Sequence, residues 1–307
     1  KKVMIILLLL LFLIFPLYST AGDEITAASY LLVEKDSFEI VAGKNYHMRM
    51  APASTTKVMT SIIAIESLNG DETVVPDSAV KKIPRSKLSL VPGKHYVSMD
   101  LIKGAMIESA NDAAYALGAH IGGSESRFAR IMTEKAKELG ANDTQFRNAS
   151  GLFVSDQFTT CYDLALIFKY ALSNETFREI VSTRYFLFKE GKKSVRYKNH
   201  NRLLFCFEPT LGGKTGFTRL SRHCYVGAFE KEGKIYILSL LGSNNLWGDA
   251  VLILRKLYNK LPSDREIRLA KANSIMLTSY KAKKDKKYAA KKKYKNSKKK
   301  KTLARKR

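Results

Sequence analysis

The sequence predicts an α+β fold in which a sheet is covered by helices. Short strand-like runs lie near both ends of the predicted folded part, at residues 25–34 and 38–42 and again at 211–218, 222–229 and 234–241. Helical runs fill the interval between them. Because strands from distant parts of a chain can share one layer, we expect one sheet with strands from both ends. With 307 residues and 45% hydrophobic content, the chain can fill a core.

The individual elements follow from hydrophobic spacing and from turn residues. Apolar residues recur at helical intervals from about residue 55 to residue 68, and Gly70 lies where a helix C-terminus favours glycine. The turn Lys231-Glu232-Gly233 predicts a hairpin between the last two strands. Spacing also predicts four further helices, at residues 100–120, 126–139, 162–172 and 247–261.

Residues 1–21 have the layout of a secretory signal peptide. A basic start and an uninterrupted apolar run at residues 3–15 are followed by Pro16 and by small residues at the cleavage positions. We expect cleavage before Gly22 and an extracytoplasmic protein. An uncleaved membrane anchor is the alternative, although 13 apolar residues fall short of the roughly 20 that span a bilayer. One folded domain is then expected at residues 22–262.

The C-terminal segment, residues 263–307, is predicted to be a basic and disordered tail. Lys281 to Arg307 holds 16 Lys and Arg residues against one acid, more than half of the net charge of +25. We expect it to adhere to an anionic membrane surface or an anionic wall polymer, at about 1 kcal/mol per basic residue near lipid. A solvated tail without a partner is the alternative. Nucleic acid is not an expected partner, because export removes the chain from it.

The cysteines and histidines predict neither a redox motif nor a metal site. Cys161, Cys206 and Cys224 are too widely spaced for a CxxC pair or a zinc knuckle. Buried, inert thiols are the favoured interpretation, and a Cys206–Cys224 bridge is the alternative. No histidine has metal-ligand spacing, so no metal or cofactor is expected. All five are expected to be packing or surface residues: His47, His95, His120, His200 and His223.

Ser54 and Lys57 form the first of three motifs that carry chemistry. Residues i and i+3 of a helix share a face, so the two side chains can hydrogen-bond across one turn. A serine at a helix N-terminus also lies near backbone N–H groups that favour negative charge. Lys57 can act as a base only if burial or a second cation lowers its pKa. The S-x-x-K pattern alone is a weak signal, because Ser78 and Ser297 match it as well.

Two further motifs follow on the expected elements. Ser109 and Asn111 interrupt an otherwise apolar helical stretch, which implies a polar cleft or a turn between two helices. The Lys-Thr-Gly sequence at residues 214–216 occurs once, in a run with strand character. Its lysine would supply the second cation that Lys57 requires, and its glycine is typical of close backbone approach by a ligand. A loop or edge-strand lysine is the alternative.

In this order, the three motifs resemble those of the penicillin-binding proteins and β-lactamases. Over roughly residues 27–261 the chain resembles the low-molecular-mass D-alanyl-D-alanine carboxypeptidases of serine peptidase family S11. The resemblance implies a β-lactamase/penicillin-binding-protein-like fold, an antiparallel sheet covered by helices plus an all-helical subregion. Residues 22–262 are then the D,D-peptidase (transpeptidase-like) domain. It also implies a serine-type carboxypeptidase that trims peptidoglycan stem pentapeptides and is acylated by β-lactams. The matching segments include PASTTKVMTS, SANDAA, KAKELGANDTQFRNASGL, NHNRLL and GGKTGFT.

The resemblance implies the roles of four catalytic residues. Ser54 is expected to be the acylated nucleophile and Lys57 the base that takes its proton. Ser109 is expected to relay a proton to the departing D-alanine. Asn111 is expected to orient Lys57 and the substrate amide.

The substrate-binding residues are carried over in the same way. Lys214 and Thr215 are expected to bind the terminal carboxylate of the peptide. The backbone N–H groups of Ser54 and Phe217 are expected to form the oxyanion hole, in which each donor contributes about 10²–10³ in rate.

Two departures from the family pattern bear on the substrate site. Family members often have an arginine near the substrate carboxylate in the segment after the last strand, whereas residues 243–250 read SNNLWGDA. They also often have a histidine where Asp156 and Gln157 follow Gly151 here. The first departure bears on carboxylate affinity and leaves acyl transfer intact.

Other activities remain open from the sequence. A D,D-endopeptidase acting on cross-links shares the three motifs. A β-lactamase of related fold would need a deacylating glutamate, and no convincing E-x-x-L-N-like loop is present. A non-enzymatic wall-binding protein is disfavoured, because all the groups needed for acylation are present.

Overall fold

Strands and helices are described by a computed structural model, which covers residues 24–191, 193–271 and 275–276. The strands of these residues are β1 Ser29–Glu34, β2 Ile40–Lys44, β3 Thr73–Val74, β4 Tyr96–Val97, β5 Tyr185–Glu190, β6 Lys193–Lys198, β7 Thr210–Thr218, β8 Arg222–Lys231, β9 Lys234–Ser243 and β10 Ile275–Met276. The helices are α1 Lys57–Ser67, α2 Ser98–Lys103, α3 Asn111–Gly122, α4 Glu125–Glu138, α5 Cys161–Ser173, α6 Glu175–Ser182, α7 Leu203–Cys206, α8 Leu246–Leu254 and α9 Asp264–Leu269.

The main sheet combines strands from both ends of the described chain, as the sequence predicts. Its order is β2-β1-β9-β8-β7, and each neighbouring pair is antiparallel. The predicted hairpin joins β8 to β9. Glu232 and Gly233 both have positive φ, 53° and 75°, as a tight two-residue turn requires. Strand β7, which carries the Lys-Thr-Gly motif, is an edge strand of this sheet.

Helices cover both faces of the sheet. Successive residues of a strand point to opposite faces, so Leu31 and Val33 join one core and Leu32 joins the other. The larger core contains the buried residues of α1 to α6. The smaller core contains those of α7, α8 and α9. The described residues therefore form three layers: helices α1 to α6, the main sheet, and helices α7 to α9. The layer of α1 to α6 contains the helical subregion beside β7.

The helix predicted at residues 100–120 is broken in the middle. Helix α2 ends at Lys103, and a π turn follows at Gly104–Glu108. Ser109 then has a left-handed backbone, with φ 63°, before α3 begins at Asn111. Apolar residues continue to face the larger core through the break, so their spacing does not reveal it. The polar residues of the second motif mark the break instead.

The C-terminal boundary of the folded part also differs from the prediction. The helix predicted at residues 247–261 ends at Leu254, and α9 lies inside the segment predicted to be a disordered tail. Ser263 and Glu266 form a capping box at the start of α9, and Ile267 is buried in the smaller core. The boundary at residue 262 is therefore wrong, because one apolar contact and one cap order a short helix that is otherwise charged.

Two predictions lie outside the described residues. These are the signal peptide at residues 1–21 and the lysine-rich run at residues 281–307. In the part of the chain that the structure describes, no helix combines the length and the apolar character needed to cross a membrane.

Candidate active site

Ser54 and Lys57 lie where a short 3₁₀ turn passes into helix α1. The turn covers Ala53–Thr56, and Lys57 is the first residue of α1. Ala53 has a left-handed φ of 47°, a conformation that costs free energy in a residue other than glycine. The Nζ of Lys57 lies 2.9 Å from the Oγ of Ser54. The pair thus makes the hydrogen bond that its i, i+3 spacing allows.

The side chain of Lys57 is completely enclosed by protein, with 0% of its surface exposed. Its Nζ lies 2.7 Å from Asn111 Oδ1 and 2.6 Å from the carbonyl oxygen of Ser150. Both oxygens can only accept hydrogen bonds, so N–H groups of Lys57 donate to them. A neutral amine has two N–H groups and one lone pair. With both N–H groups engaged, the lone pair is left for the hydroxyl proton of Ser54.

Burial and a second cation favour the neutral form of Lys57. Its pKa lies well below the ordinary value, first because burial disfavours the ammonium and second because of the positive charge on Lys214. The carboxylate of Asp112 acts in the opposite direction. Burial also lowers the pKa of Lys214 to about 7, against the effect of Glu108. The site therefore has the second cation that a lysine base requires.

Lys214 reaches the site from strand β7 and contacts Ser109. Its Nζ lies 2.9 Å from Ser109 Oγ and 2.8 Å from the carbonyl oxygen of Thr215, and its side chain is 1% exposed. The left-handed backbone of Ser109 is a strained conformation of the kind found at functional sites. Two serine–lysine pairs, one on each side of the site, are thus brought together from distant parts of the chain.

Asn111 and Asp112 begin helix α3 and hold the loop that borders the site. The Nδ2 of Asn111 donates to the carbonyl oxygen of Arg85 at 2.9 Å, which leaves Oδ1 to accept from Lys57. Asp112 is fully buried and accepts hydrogen bonds from the backbone N–H groups of residues 88–90. The loop and the amide are therefore held in one orientation relative to the lysine.

Strand β7 passes directly beside Ser54 because Gly216 has no side chain. A Cβ at Gly216 would lie 2.8 Å from the backbone nitrogen of Ser54. The close approach predicted for this glycine is thus made by the protein backbone itself. Phe217 follows, with 59% of its surface exposed and its ring centroid 4.6 Å from that of His223. Ser54 and Phe217, the two residues predicted to supply oxyanion N–H groups, therefore lie at the same side of one cleft.

An open cleft of about 410 Å³ joins these residues. Lys57 and Lys214 do not line it and lie buried behind its wall. The cleft is lined by the remaining five of the predicted site residues, Ser54, Ser109, Asn111, Thr215 and Phe217. Ser54 and Ser109 therefore border the cleft, and the two lysines lie behind them.

Comparison with known proteins identifies the family. The sequence profile of peptidase S11, described as D-alanyl-D-alanine carboxypeptidase, matches residues 17–245. The chain belongs to this family. The family resemblance inferred from the three motifs is therefore confirmed.

Curated relatives of this peptidase S11 chain cover it over most of its length. DacF of Bacillus subtilis, a D-alanyl-D-alanine carboxypeptidase, is 31% identical over 224 residues, which are 71% of this chain and 58% of DacF. DacB2 of Mycobacterium tuberculosis, which has the same description, is 29% identical over 235 residues, 74% of this chain and 80% of DacB2. The aligned part of this chain thus spans little more than half the length of DacF.

Solved structures confirm the predicted penicillin-binding-protein-like α+β fold. A D-alanyl-D-alanine carboxypeptidase from Mycobacterium tuberculosis matches with a TM-score of 0.73 and 27% identity, over 81% of this chain and 98% of that one. A variant of a Streptomyces DD-transpeptidase matches with a TM-score of 0.70 and 27% identity, over 76% of this chain and 98% of that one.

The cleft of this S11 peptidase carries three cations that the motifs do not include, Arg85, Arg202 and Lys271. Arg202 belongs to the NHNRLL segment, and its guanidinium lies 6.0 Å from the ring centroid of Trp247. Trp247 is part of SNNLWGDA, the segment in which the family arginine is missing. The cleft therefore has positive charge close to the place where that arginine is absent.

The loop at residues 148–157 supplies the third partner of Lys57. Asn148 Oδ1 accepts from the backbone N–H groups of Ser150 and Gly151, at 3.2 and 2.7 Å. Gln157, near the position where the family often has a histidine, is buried and accepts from the backbone N–H of Asn148. The sequence alone does not point to Ser150, because this residue contacts Lys57 through its backbone carbonyl oxygen rather than through its side chain. Its place in the NASGL segment was the available hint.

Of the other S-x-x-K matches, the one at Ser78 lies apart from the site. Ser78 begins an exposed 3₁₀ turn, Ser78–Lys82, and does not line the cleft. Ser297 lies outside the described residues. The position of a serine relative to the other motifs, rather than its local pattern, distinguishes Ser54.

The three cysteines are free thiols, so the alternative of a Cys206–Cys224 bridge is wrong. Cys161 and Cys224 are buried, and burial raises the pKa of each thiol to about 12. Such thiols are inert, as predicted for them. Cys206 is half-buried, and burial raises its pKa to about 11.

Two of the five histidines expected to be packing or surface residues, His200 and His223, line the cleft. The Nε2 of His200 lies 3.5 Å from an oxygen of Glu108, the residue before Ser109. Within the described ranges, no group of three His, Cys, Asp or Glu side chains is arranged to hold a metal ion.

Proposed function

We propose that this chain is a serine-type D-Ala-D-Ala carboxypeptidase that trims peptidoglycan stem pentapeptides through an acyl-enzyme at Ser54. One observation carries the proposal. A buried amine, Lys57 Nζ, lies 2.9 Å from the Ser54 hydroxyl, and the pKa of that lysine is lowered by burial and by Lys214. A serine hydroxyl is a weak nucleophile until an adjacent base activates it. Membership of the S11 family supports the substrate class.

Acylation begins when neutral Lys57 takes the proton of Ser54. The serine oxygen attacks the carbonyl carbon of the penultimate D-alanine, and negative charge develops on the carbonyl oxygen. The backbone N–H groups of Ser54 and Phe217 are the proposed donors to that oxygen. Support comes from Gly216, which allows β7 to run beside the Ser54 nitrogen and brings the two residues to one side of the cleft.

Departure of D-alanine requires a proton on its nitrogen as the peptide bond breaks. Ser109 is the proposed carrier, because its Oγ lies at the cleft and accepts a hydrogen bond from Lys214 at 2.9 Å. Ser109 recovers its proton from the ammonium that formed on Lys57. Water then attacks the Ser54 ester while Lys57 accepts a proton from it and returns that proton to the Ser54 oxygen. The shortened peptide leaves with a new carboxylate.

The terminal carboxylate of the peptide is proposed to bind to Thr215 and to the cationic wall of the cleft. Thr215 lines the cleft and can donate its hydroxyl proton, and Arg202 can add charge-assisted hydrogen bonds. Lys214 contributes its positive charge from behind the wall, since it is 1% exposed and bonded to Ser109. Arg202 would then compensate for the arginine that SNNLWGDA lacks.

An extracytoplasmic location and binding of β-lactams belong to the same proposal. Residues 1–21, which have the layout of a signal peptide, support the location, and membership of the S11 family supports the binding of β-lactams. Adhesion of residues 281–307 to an anionic membrane surface or wall polymer is supported by their charge alone.

One comparison favours a second activity, transfer of the acyl group to an amine. The Streptomyces structure with a TM-score of 0.70 is a DD-transpeptidase. The acyl-enzyme at Ser54 is common to both reactions, and only the acceptor differs, water or an amine. An endopeptidase acting on cross-links also shares this acyl-enzyme. Product analysis with and without an added amine distinguishes hydrolysis from transfer.

Release of D-alanine from a stem pentapeptide tests the proposal. We expect Ser54→Ala to abolish both this release and covalent labelling by a fluorescent penicillin. Ser78→Ala is the matched control, because Ser78 has the same S-x-x-K spacing in an exposed turn, and it should retain both. A long-lived penicillin adduct fits the carboxypeptidase, whereas rapid turnover would indicate a β-lactamase. D-alanine release by Ser54→Ala would contradict the mechanism.

A further inference from the structure

A row of cations leads from the cleft across the neighbouring surface. Arg202 and Lys271 line the cleft, and Lys198 Nζ donates to the carbonyl oxygen of Lys271 at 3.1 Å. Arg184 and Arg196, at the hairpin formed by β5 and β6, continue the row. We call these five residues the basic strip. It begins inside the proposed active site and ends on the hairpin.

Aromatic rings lie among the cations of the basic strip. A cation over a ring face is stabilised by the electrons of the ring, which holds the charge in a preferred place. The rings of Phe205 and Tyr185 are themselves in edge contact, with centroids 5.6 Å apart. The pairs, with cation-to-centroid distances, are Arg202 and Trp247 at 6.0 Å, Lys198 and Phe205 at 4.3 Å, and Arg196 and Tyr185 at 4.8 Å.

The hairpin displays this surface because its strands alternate. Tyr185 and Leu187 of β5 are exposed, at 46% and 42%, and pair with Lys198 and Arg196 of β6. The intervening Phe186 is buried in the larger core. One face of the hairpin therefore anchors it, and the other carries apolar and cationic side chains in register.

The charge of the basic strip is not neutralised within the described residues. None of their carboxylates forms an ion pair with any of its five members. Cations elsewhere on the surface do have such partners, for example Arg49 with Asp143. A line of cations that form no such ion pairs produces a positive potential that attracts an extended anion.

We propose that the basic strip binds the peptidoglycan strand beyond the stem peptide that Ser54 attacks. This inference rests on the proposed function. Neighbouring stem peptides carry free carboxylates at intervals along the sugar chain, and such groups match cations in a row. The exposed ring of Tyr185 suits the apolar face of a sugar. Arg184 and Arg196 do not line the cleft, so they contact a ligand that extends outside it.

A linear polymer fits the strip better than a lipid surface does. The row starts at cleft-lining Arg202 and Lys271, where a membrane could not follow it. The strip therefore favours polymeric substrates over free pentapeptide, and this preference can be measured.

The test compares two double variants, each of which removes two exposed positive charges. Arg184→Gln/Arg196→Gln alters the far end of the strip, and Arg130→Gln/Lys137→Gln alters exposed positions of α4 away from the cleft. The measured quantity is kcat/KM for uncross-linked polymeric strands divided by kcat/KM for free pentapeptide. We expect this ratio to fall about tenfold in the strip variant, roughly threefold for each exposed ion pair lost. It should stay unchanged in the α4 variant.

Co-sedimentation with insoluble strands measures the same preference without catalysis, and the strip variant should bind more weakly. An unchanged ratio with unchanged co-sedimentation would overturn the inference. An equal fall in both variants would also overturn it, since net charge alone would then be responsible. So would a strip variant that loses binding to anionic lipid vesicles while its strand binding stays intact. Failure of the parent protein to release D-alanine from free pentapeptide would instead overturn the proposed function.

Discussion

Two pairs of basic residues in this protein have opposite surroundings. Lys57 and Lys214 are 0% and 1% exposed, and burial lowers the pKa of both. Arg184 and Arg196 are exposed on the hairpin. The first pair can provide a base and a field for chemistry, whereas the second can provide attraction. In a chain with 53 Lys and Arg residues, burial sets the two lysines apart from the exposed basic residues.

The largest expected effect comes from removing the buried amine itself. Lys57→Met should lower the rate of acylation of Ser54 by a fluorescent penicillin by about 10²–10⁴-fold, the usual contribution of a general base. Lys81→Met is the control, because Lys81 is the exposed lysine of the Ser78 motif and should not affect the rate. Acylation of Lys57→Met at the parental rate would show that another group activates the serine.

A smaller effect with a pH signature is expected for Lys214→Met. The charge on Lys214 is the second largest cause of the lowered pKa of Lys57, after burial. Without it the pKa of Lys57 rises toward its ordinary value of 10.5, so less of the amine is neutral at a given pH. The acidic limb of the pH–rate profile for acylation, measured from about pH 5 to pH 10, should therefore move to higher pH. A rate loss of about 10–100-fold at neutral pH should accompany the shift.

Glu108→Gln tests the same two lysines, Lys57 and Lys214, with a shift expected in the opposite direction. Burial lowers the pKa of Lys214 to about 7, and Glu108 acts against this effect. Its removal should let Lys214 lose its proton at lower pH, so the alkaline limb should move to lower pH. If both variants moved the same limb in the same direction, the two lysines would not have the separate roles proposed here.

The smallest expected effect is a difference in salt sensitivity between the buried lysines and the exposed arginines. Exposed charges are screened strongly as ionic strength rises from about 0.1 to 0.5 M, and buried ones much less. We expect kcat/KM on polymeric strands to fall about threefold over this range. The pH of the acidic limb of penicillin acylation should stay in place. Equal sensitivity of both measurements to salt would remove the distinction between buried and exposed cations.

The sequence was most informative where hydrophobic spacing and turn chemistry agree. The five strands of the main sheet and the turn at Glu232-Gly233 are present as predicted. The hairpin of β5 and β6 was not predicted, although the alternation in YFLFKE was a signal for it. Helix α9 was hidden because it has few apolar residues and lies in a charged segment. Both the hairpin and α9 are held by packing against core residues that are distant in the chain, the hairpin through Phe186 in the larger core and α9 through Ile267 in the smaller one. Local spacing does not include such contacts.

The candidate site likewise contains residues that the sequence predicts and residues that it does not. Its hydroxyls and amines could be listed from three short motifs, because a lysine base can reach a serine one helical turn away and needs burial or a second cation to lower its pKa. No local pattern could place Ser150, Arg202 or Lys271, since a carbonyl oxygen has no side-chain identity and surface cations are common in this chain. Their role depends on which loops the fold brings to the cleft.

By itself, the sequence determined the fold class, the family resemblance and the chemical groups around Ser54. These follow from residue type and spacing, which are properties of a chain segment. Only the tertiary structure decided which of the many lysines lose water and which keep it. Desolvation depends on everything packed around a group, and for Lys57 and Lys214 that packing comes from α1, α3, β7 and the loop at residues 148–157. The activity proposed for Ser54 therefore rests on a motif that the sequence shows and on a burial that the fold creates.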